Sequence, residues 1–501
     1  MLSWITSSAD LRNRMFSSRR PLLLLCPLVA LFTACAPNEA GNGETTPEAS
    51  GPRPRHVLMI VIDTLRADHL SCYGYWRETS PNIDSMAKRG VQFSRAISQS
   101  SWTSPSMITM MTGQRVAGDR LSIPDEKPVL AELFKDAGYR TGAWVANELL
   151  DPENGFARGF DRYVGPNEWH STKPPGRTDG IVEWLKENED RDTFTWVHFT
   201  DPHDPYTPAT DFKPFGPGRI PEHQEKVITE IAEAHEFEAA LPQQLAHMTR
   251  QLGQYDDEVR RVDRKVRDLL VALHESGNLE NAVVVLTSDH GECLWERPES
   301  KRRLELRDKH RKEDLTVRHL FKQTHGDFVT QELIRVPLII MAPSIEKRRV
   351  ENMVAEAVHL PSTLLELAGV EVAGTELLAG TSLFGGEIPP GAYSMTALSE
   401  AFVAEDGWKL ILPTESGANQ FDRVVKLHDL NTDPREQTNL ASEHPDRVTE
   451  MTARIAERRQ GALPKLLPQQ RNKQLEENAD AIDDNGYGGG DFLDLGDGED
   501  E

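Results

Sequence analysis

Residues 56–63 read H-V-L-M-I-V-I-D, an unbroken apolar run that starts after a histidine and ends on a carboxylate. Such a run suits a strand buried on both faces, as in a parallel sheet. Three similar runs follow: T-F-T-W-V-H-F-T at 193–200, A-V-V-V-L-T-S-D at 282–289 and V-P-L-I-I-M-A-P at 336–343. Helical patterns lie between them, at 81–90, 129–138 and 259–273. Buried strands alternating with amphipathic helices predict an α/β domain built on a mostly parallel sheet. From about residue 396 the pattern shortens to W-K-L-I-L and V-V-K-L-H-D-L, which predicts a small second sheet.

The chain is 501 residues long with a formal net charge of −24, enough for a large core plus a smaller partner. A mean hydropathy of −0.52 excludes a polytopic membrane protein. The acidic balance argues against nucleic acid as a partner, since phosphate-reading proteins carry basic patches. Four cysteines exclude a disulfide scaffold. At the N-terminus, Arg12, Arg14, Arg19 and Arg20 precede an apolar run from Pro21 to Cys35. The run is too short, and too broken by Pro27, for a comfortable membrane span, and it reads as a secretory leader. Its end, Leu31-Phe32-Thr33-Ala34-Cys35, resembles the bacterial lipobox, with an ordinary cut near Ala34 as the alternative. Residues 36–53 form a polar, Pro/Gly/Thr-rich tether. The expected location is therefore the cell envelope, with the protein lipid-anchored to a membrane through Cys35 and facing the periplasm or the exterior. Cys72 and Cys293 remain in the body, either as a pair or as two buried thiols.

This organises the chain as a leader with lipobox (1–35), a tether (36–53), a catalytic domain (54–395) and a C-terminal subdomain (396–465). The catalytic domain carries a helical insertion at 221–252, read as surface decoration, and a basic one at 297–322. The latter holds ten Lys/Arg against five Asp/Glu, and reads either as a solvated charged helix or as a lid attracting anions. Residues 466–501 read as a disordered acidic tail.

In an open parallel sheet, ligands bind beyond the carboxyl ends of the strands. The first run ends at Asp63, the second leads to Asp201-Pro202-His203, and the third ends in Ser288-Asp289-His290-Gly291-Glu292. Carboxylates plus imidazole suit one divalent metal ion, with Ca, Mg or Mn ahead of Zn. In S-W-T-S-P-S-M at 101–107, Pro105 fits a first helical position, which puts Thr103 or Ser104 at a helix N-terminus. That hydroxyl is either a simple helix cap or a nucleophile aimed at an anionic ester.

From about residue 55 to 445 the chain resembles the sulfatase family of the alkaline phosphatase superfamily. The likeness rests on V-L-M-I-V-I-D-T-L-R-A-D-H-L-S-C-Y-G-Y, S-W-T-S-P-S-M-I-T-M-M-T-G, H-F-T-D-P-H-D-P-Y, Y-D-D-E-V-R-R-V-D and L-T-S-D-H-G-E, in family order. H-G-D-F-V-T-Q-E-L-I-R-V-P-L-I-I and L-H-D-L-N-T-D-P-R-E-Q-T-N-L-A extend it. The resemblance implies a doubly wound sheet flanked by helices, a smaller antiparallel C-terminal sheet, and metal-assisted cleavage of sulfate or phosphate esters. It implies Asp63, Asp289, His290 and Thr103 at the metal, Thr103 as nucleophile, and His203 and His325 facing the ester.

The chain also departs from that pattern. Working sulfatases convert Cys or Ser within C/S-x-P-S-R to formylglycine, whereas this chain has Thr103 and Met107. Thr64 stands where some relatives carry a second acid, and G-A-W-V-A-N (142–147) replaces the G-K-W-H element. The expectation is a hydrolase or phosphotransferase using unmodified Thr103, with phosphoester chemistry preferred. Sulfate-ester hydrolysis without formylglycine and a non-catalytic binding lipoprotein are the alternatives. The expected substrate is an anionic ester of a glycan, lipid or small molecule.

Overall fold

The computed structural model describes residues 54–170, 177–297 except 235, 325–372, 378–415, 424–466 and 468–479. The leader, lipobox, tether, most of the basic insertion and the last part of the acidic tail lie outside them. No helix among the described residues is long and apolar enough to cross a membrane.

Eight strands form the main sheet: β1 (His56–Ile62), β2 (Val91–Ile97), β3 (Arg140–Val145), β4 (Arg162–Val164), β5 (Thr193–Phe199), β6 (Ala282–Thr287), β7 (Arg335–Met341) and β8 (Arg348–Glu356). Their order is β4-β3-β5-β1-β6-β7-β2-β8. β5, β1 and β6 are adjacent and parallel, so their carboxyl ends share one edge of the sheet. β1 is buried along its whole length, and its side chains alternate between two cores. Leu58, Ile60 and Ile62 pack with Val259, Val262, Val266 and Leu269 of the long helix Leu241–Glu275. Val57, Met59 and Val61 pack with Met107, Ile108, Met110 and Met111. Helices thus cover both faces, which is why the strand reads as a continuous apolar run rather than an alternating one.

Residues 336–343, read as one more member of the parallel set, include most of β7, which runs antiparallel to both β6 and β2. Burial on both faces gives the same apolar run in either direction, so the run itself carries no polarity. The second sheet, β9 (Ala392–Met395), β10 (Ser399–Val403), β11 (Trp408–Pro413) and β12 (Lys426–Asp429), is antiparallel in the order β12-β11-β10-β9. It begins at Ala392, a few residues before the expected subdomain boundary.

Two expectations about decoration change. Within 221–252 lie the helix Glu222–Ala234 and the start of the 35-residue helix Leu241–Glu275. Their Ile228, Ala232, Met248 and Leu252 are buried in the main core, so the segment is packed rather than laid on the surface. The tail expected to be disordered from 466 contains a helix, Pro468–Glu477. Its Leu475 is 3% exposed and packs with Trp102, Leu121 and Leu149. Gln474 accepts from the Leu121 amide at 3.2 Å, Arg471 pairs with Asp119 at 2.5 Å, and Asn154 donates to Asn478 at 2.7 Å. One buried leucine and these polar ties hold a segment whose composition reads as solvated.

Candidate active site

The shared edge of β5, β1 and β6 gathers most of the candidate residues. Asp63 directly follows β1, and its amide donates to the Phe199 carbonyl at 2.8 Å, prolonging the pairing with β5. Ser288 links the ends of β1 and β6: its hydroxyl contacts the Ile62 and His290 carbonyls at 2.5 Å and accepts from the Leu65 amide at 3.0 Å. Thr64 has φ +54°, a left-handed conformation that strains a β-branched residue. Tyr255 holds it there, donating its hydroxyl to the Thr64 carbonyl at 2.7 Å and accepting from the Arg66 amide at 3.0 Å. Gly291 is required by close approach, because a Cβ there would lie 2.1 Å from the Glu332 carbonyl oxygen.

The structure brings Asp63, Asp289 and His290 together as one cluster of fully buried metal-type donors. His290 Nε2 lies 3.5 Å from Asp63 Oδ1 and 3.6 Å from Asp289 Oδ2. Its Nδ1 is 2.9 Å from the Gly291 carbonyl, which can only accept, so Nδ1 carries the proton and Nε2 presents its lone pair. Asp63 Oδ1 and Asp289 Oδ2 are buried without a hydrogen-bond partner. Burial and the neighbouring Asp289 charge together push the Asp63 carboxyl above the usual carboxylate range. Two facing carboxylate oxygens and an imidazole lone pair, all dehydrated, fit a divalent cation.

Thr103 joins this cluster. The helix Thr103–Thr112 starts on it, with Trp102 as the cap, so Pro105 falls at the third helical position rather than the first. Proline is tolerated there because the early N–H groups of a helix have no internal partners. Thr103 Oγ1 is 3.1 Å from His290 Nε2, on the side of the ring that faces the carboxylates.

His325 and His203 complete the group. The His325 ring centroid lies 4.5 Å from that of His290 and 5.0 Å from that of His203. Glu292 receives His325 Nδ1 at 3.1 Å, and the Asp204 carbonyl receives His203 Nδ1 at 2.6 Å. Burial and the adjacent His203 hold His325 well below the usual histidine range. Burial also opposes charge on His203, but the Asp63 and Glu292 carboxylates outweigh it and raise its pKa. The two neighbouring imidazoles are thus pushed in opposite directions. Asp201 is drawn elsewhere, into ion pairs with Lys265 at 2.6 Å and Arg261 at 3.6 Å.

Two residues of the site were not foreseen. Asn147, the last residue of the stretch that replaces G-K-W-H, donates to Asp63 Oδ2 at 2.8 Å and lies 3.4 Å from Thr103 Oγ1. His198 lies in β5 with Nε2 3.5 Å from Asp289 Oδ2, and neither ring nitrogen has a hydrogen-bond partner among the described residues. The available signal was a histidine inside an otherwise apolar strand. Cys72 and Cys293 are both free thiols.

A doubly wound sheet thus carries metal-type donors at its carboxyl edge with a helix-terminal hydroxyl among them. A family model described as Sulfatase matches residues 55–370. The N-acetylgalactosamine-6-O-sulfatase of Bacteroides thetaiotaomicron is 23% identical over 86% of this chain and 97% of its own. Among solved structures, a 2-O GAG sulfatase aligns with TM-score 0.60 and 20% identity over 81% of this chain and 92% of its own. The phosphonate monoester hydrolase of Agrobacterium radiobacter gives TM-score 0.58 and 19% identity over 82% and 96%. The chain belongs to the sulfatase family, and its neighbours include hydrolases of both sulfate and phosphonate esters.

Proposed function

We propose that the protein is a lipid-anchored, metal-dependent hydrolase or transferase of phosphate or sulfate esters in the cell envelope, with unmodified Thr103 as its nucleophile. The observation that carries this reading is the Thr103 hydroxyl, buried at the start of the helix Thr103–Thr112 and 3.1 Å from an imidazole nitrogen flanked by two orphaned carboxylate oxygens. A divalent ion held by Asp63, Asp289 and His290 would supply Lewis acidity, lowering the pKa of the hydroxyl and offsetting the charge of the ester. Thr103 Oγ1 bonds to phosphorus as the bond to the leaving oxygen breaks. His203 donates the proton that the leaving oxygen needs, and His325 accepts the proton given up on the attacking side. Water or an acceptor alcohol then attacks the phosphothreonine, and the same protons return in reverse.

Phosphoesters are favoured by the chemistry of threonine. A formylglycine hydrate can shed sulfate by expelling it from a carbon that bears a second hydroxyl. Threonine offers no such route, and its ester must be opened at phosphorus or sulfur. Sulfate esters remain the second reading, supported by the sulfatases among the relatives, and those relatives also favour a saccharide as the leaving group. A binding-only role fits poorly with retention of two dehydrated carboxylates that repel each other without a cation, beside an imidazole of metal-ligand type.

The test is turnover by the chain from Ala36 onward on aryl phosphate, aryl phosphodiester and aryl sulfate, with bound metal measured alongside. Near one metal per chain and fastest cleavage of a phosphate probe are expected. Metal-free protein inert on all three would leave only the binding role. The anchor has its own check: wild type should partition into the detergent phase, and Cys35→Ser should stay unprocessed or become soluble. Equal partitioning of the two forms would exclude lipidation at Cys35.

A further inference from the structure

Asn147 is fully buried, and each polar atom of its side chain has a partner. Its Oδ1 accepts from the Leu149 amide at 2.9 Å, which fixes the orientation of the amide group, so Nδ2 is the atom that faces the site. The two hydrogens on Nδ2 meet two acceptors, Asp63 Oδ2 at 2.8 Å and Thr103 Oγ1 at 3.4 Å. The backbone on either side is pinned as well. The Ala146 amide donates to the His198 carbonyl and the Leu150 amide to the Asn147 carbonyl, each at 3.1 Å. Asn147 also caps the short turn Glu148–Leu150, but that role uses only Oδ1. The N–H that faces Thr103 lies outside it.

Threonine makes that donor useful. In the first step Oγ1 is the nucleophile, and in the second it is the leaving group. Water forms its bond to phosphorus as the bond from phosphorus to Oγ1 breaks, and the electron pair of that bond stays on Oγ1. The water proton passes to His203, and the proton held by His325 returns to Oγ1. A bridging ester oxygen is a weak acceptor, whereas the same oxygen on departure carries developing negative charge. A hydrogen bond to it therefore strengthens from the phosphothreonine to the transition state, which is the condition for it to accelerate the step. His290 Nε2, 3.1 Å from Oγ1, presents a lone pair and supplies no such donor. In the first step the balance is reversed, because an ionised Thr103 loses charge as it attacks. The Asn147 bond thus favours the second step over the first.

We infer that Asn147 is a catalytic residue of the second step, donating Nδ2–H to Thr103 Oγ1 as the phosphothreonine is opened. This rests on the ester-cleaving reading above and assigns its two steps to different helpers. The role matters in this chain because Thr103 has no second hydroxyl on its carbinol carbon with which to expel the bound group.

The experiment follows whichever aryl ester wild type cleaves fastest, by rapid quenching and intact mass, in wild type, Asn147→Ala and Asn147→Gln at saturating cation. In Asn147→Ala, the first phenol should appear as a burst approaching one equivalent per chain, followed by a steady rate at least about tenfold below wild type. Most chains should then carry the Thr103 adduct, and its decay after substrate is removed should be slowed by the same factor. The steady rate should also lose its dependence on the aryl leaving group, which has departed before the slow step. Asn147→Gln keeps the amide on a longer stem and should recover part of the decay rate. Bound metal should match wild type in both variants. Loss of metal from both would reduce Asn147 to a support for Asp63 and overturn the inference. A burst slowed as much as the decay, or no rise of adduct over wild type, would overturn it too. If instead Thr103→Ala cleaves the ester as fast as wild type and no protein forms an adduct, it is the reaction proposed above that fails.

Discussion

Replacing Thr103 by alanine will slow ester cleavage by at least about two orders of magnitude while leaving the metal content unchanged. Covalent catalysis disappears with the hydroxyl, but Asp63, Asp289 and His290 should keep their places, since His290 is also held through Nδ1 by the Gly291 carbonyl and Asp63 by Asn147. Thr103→Ser should retain a measurable fraction of the rate. The hydroxyl survives there, and only one methyl is lost from a fully buried position. Intact-mass analysis should find wild-type Thr103 unmodified at rest, with a phosphate-sized adduct after rapid quenching from substrate. If Thr103→Ala were as active as wild type, the hydroxyl would be a structural feature of the helix start, and nucleophilic attack by this residue would be excluded.

Asp289→Asn should weaken divalent-cation binding at least about tenfold and remove most of the activity, since a neutral amide replaces an ionised oxygen ligand. Stability separates this from simple damage. In chelator, burial and the Asp289 charge raise the Asp63 carboxyl, whereas His290 and His198 hold Asp289 ionised and below its usual range. On adding cation, wild type should gain about 2.7 kcal/mol at a hundredfold excess over its dissociation constant, and the variant little. Equal gains in the two proteins would place the cation elsewhere.

The part of the fold legible in the sequence was the part buried on both sides. β1, β5 and β6 betray themselves as apolar runs, and because they are adjacent and parallel, the polar residues ending them meet in space. That geometry is why Asp63, Asp289 and His290 were recoverable without coordinates. β2, V-Q-F-S-R-A-I, and β8, R-R-V-E-N-M-V-A-E, were not visible as strands. Polar side chains interrupt both, and β8 forms the edge of the sheet, where charges face solvent. Asn147 escaped because its role depends on a loop that carries it from the end of β3 to the Asp63 carboxylate, a path no local pattern encodes. His198 lay inside a strand that had already been read, where its neighbours drew attention to burial rather than to donors. The helix Pro468–Glu477 was hidden by composition, because one leucine among polar residues has no periodicity to detect.

That last helix has a consequence in time. Leu475 packs on Trp102, the residue before Thr103, and on Leu149, two residues beyond Asn147. Trp102 emerges from the ribosome about 370 residues before Leu475, which at about 5–20 residues per second means tens of seconds. From the synthesis of His325 onward every residue of the candidate site has been made, while the surface behind two of them still lacks its cover. A chain stopped early, or clipped after the second sheet, would keep Asp63, Thr103, Asn147, His203, Asp289, His290 and His325 but lose that backing. Arrival of this helix and completion of the surroundings of Thr103 are thus the same event, and Leu475 reports to the candidate site that everything before it has been delivered.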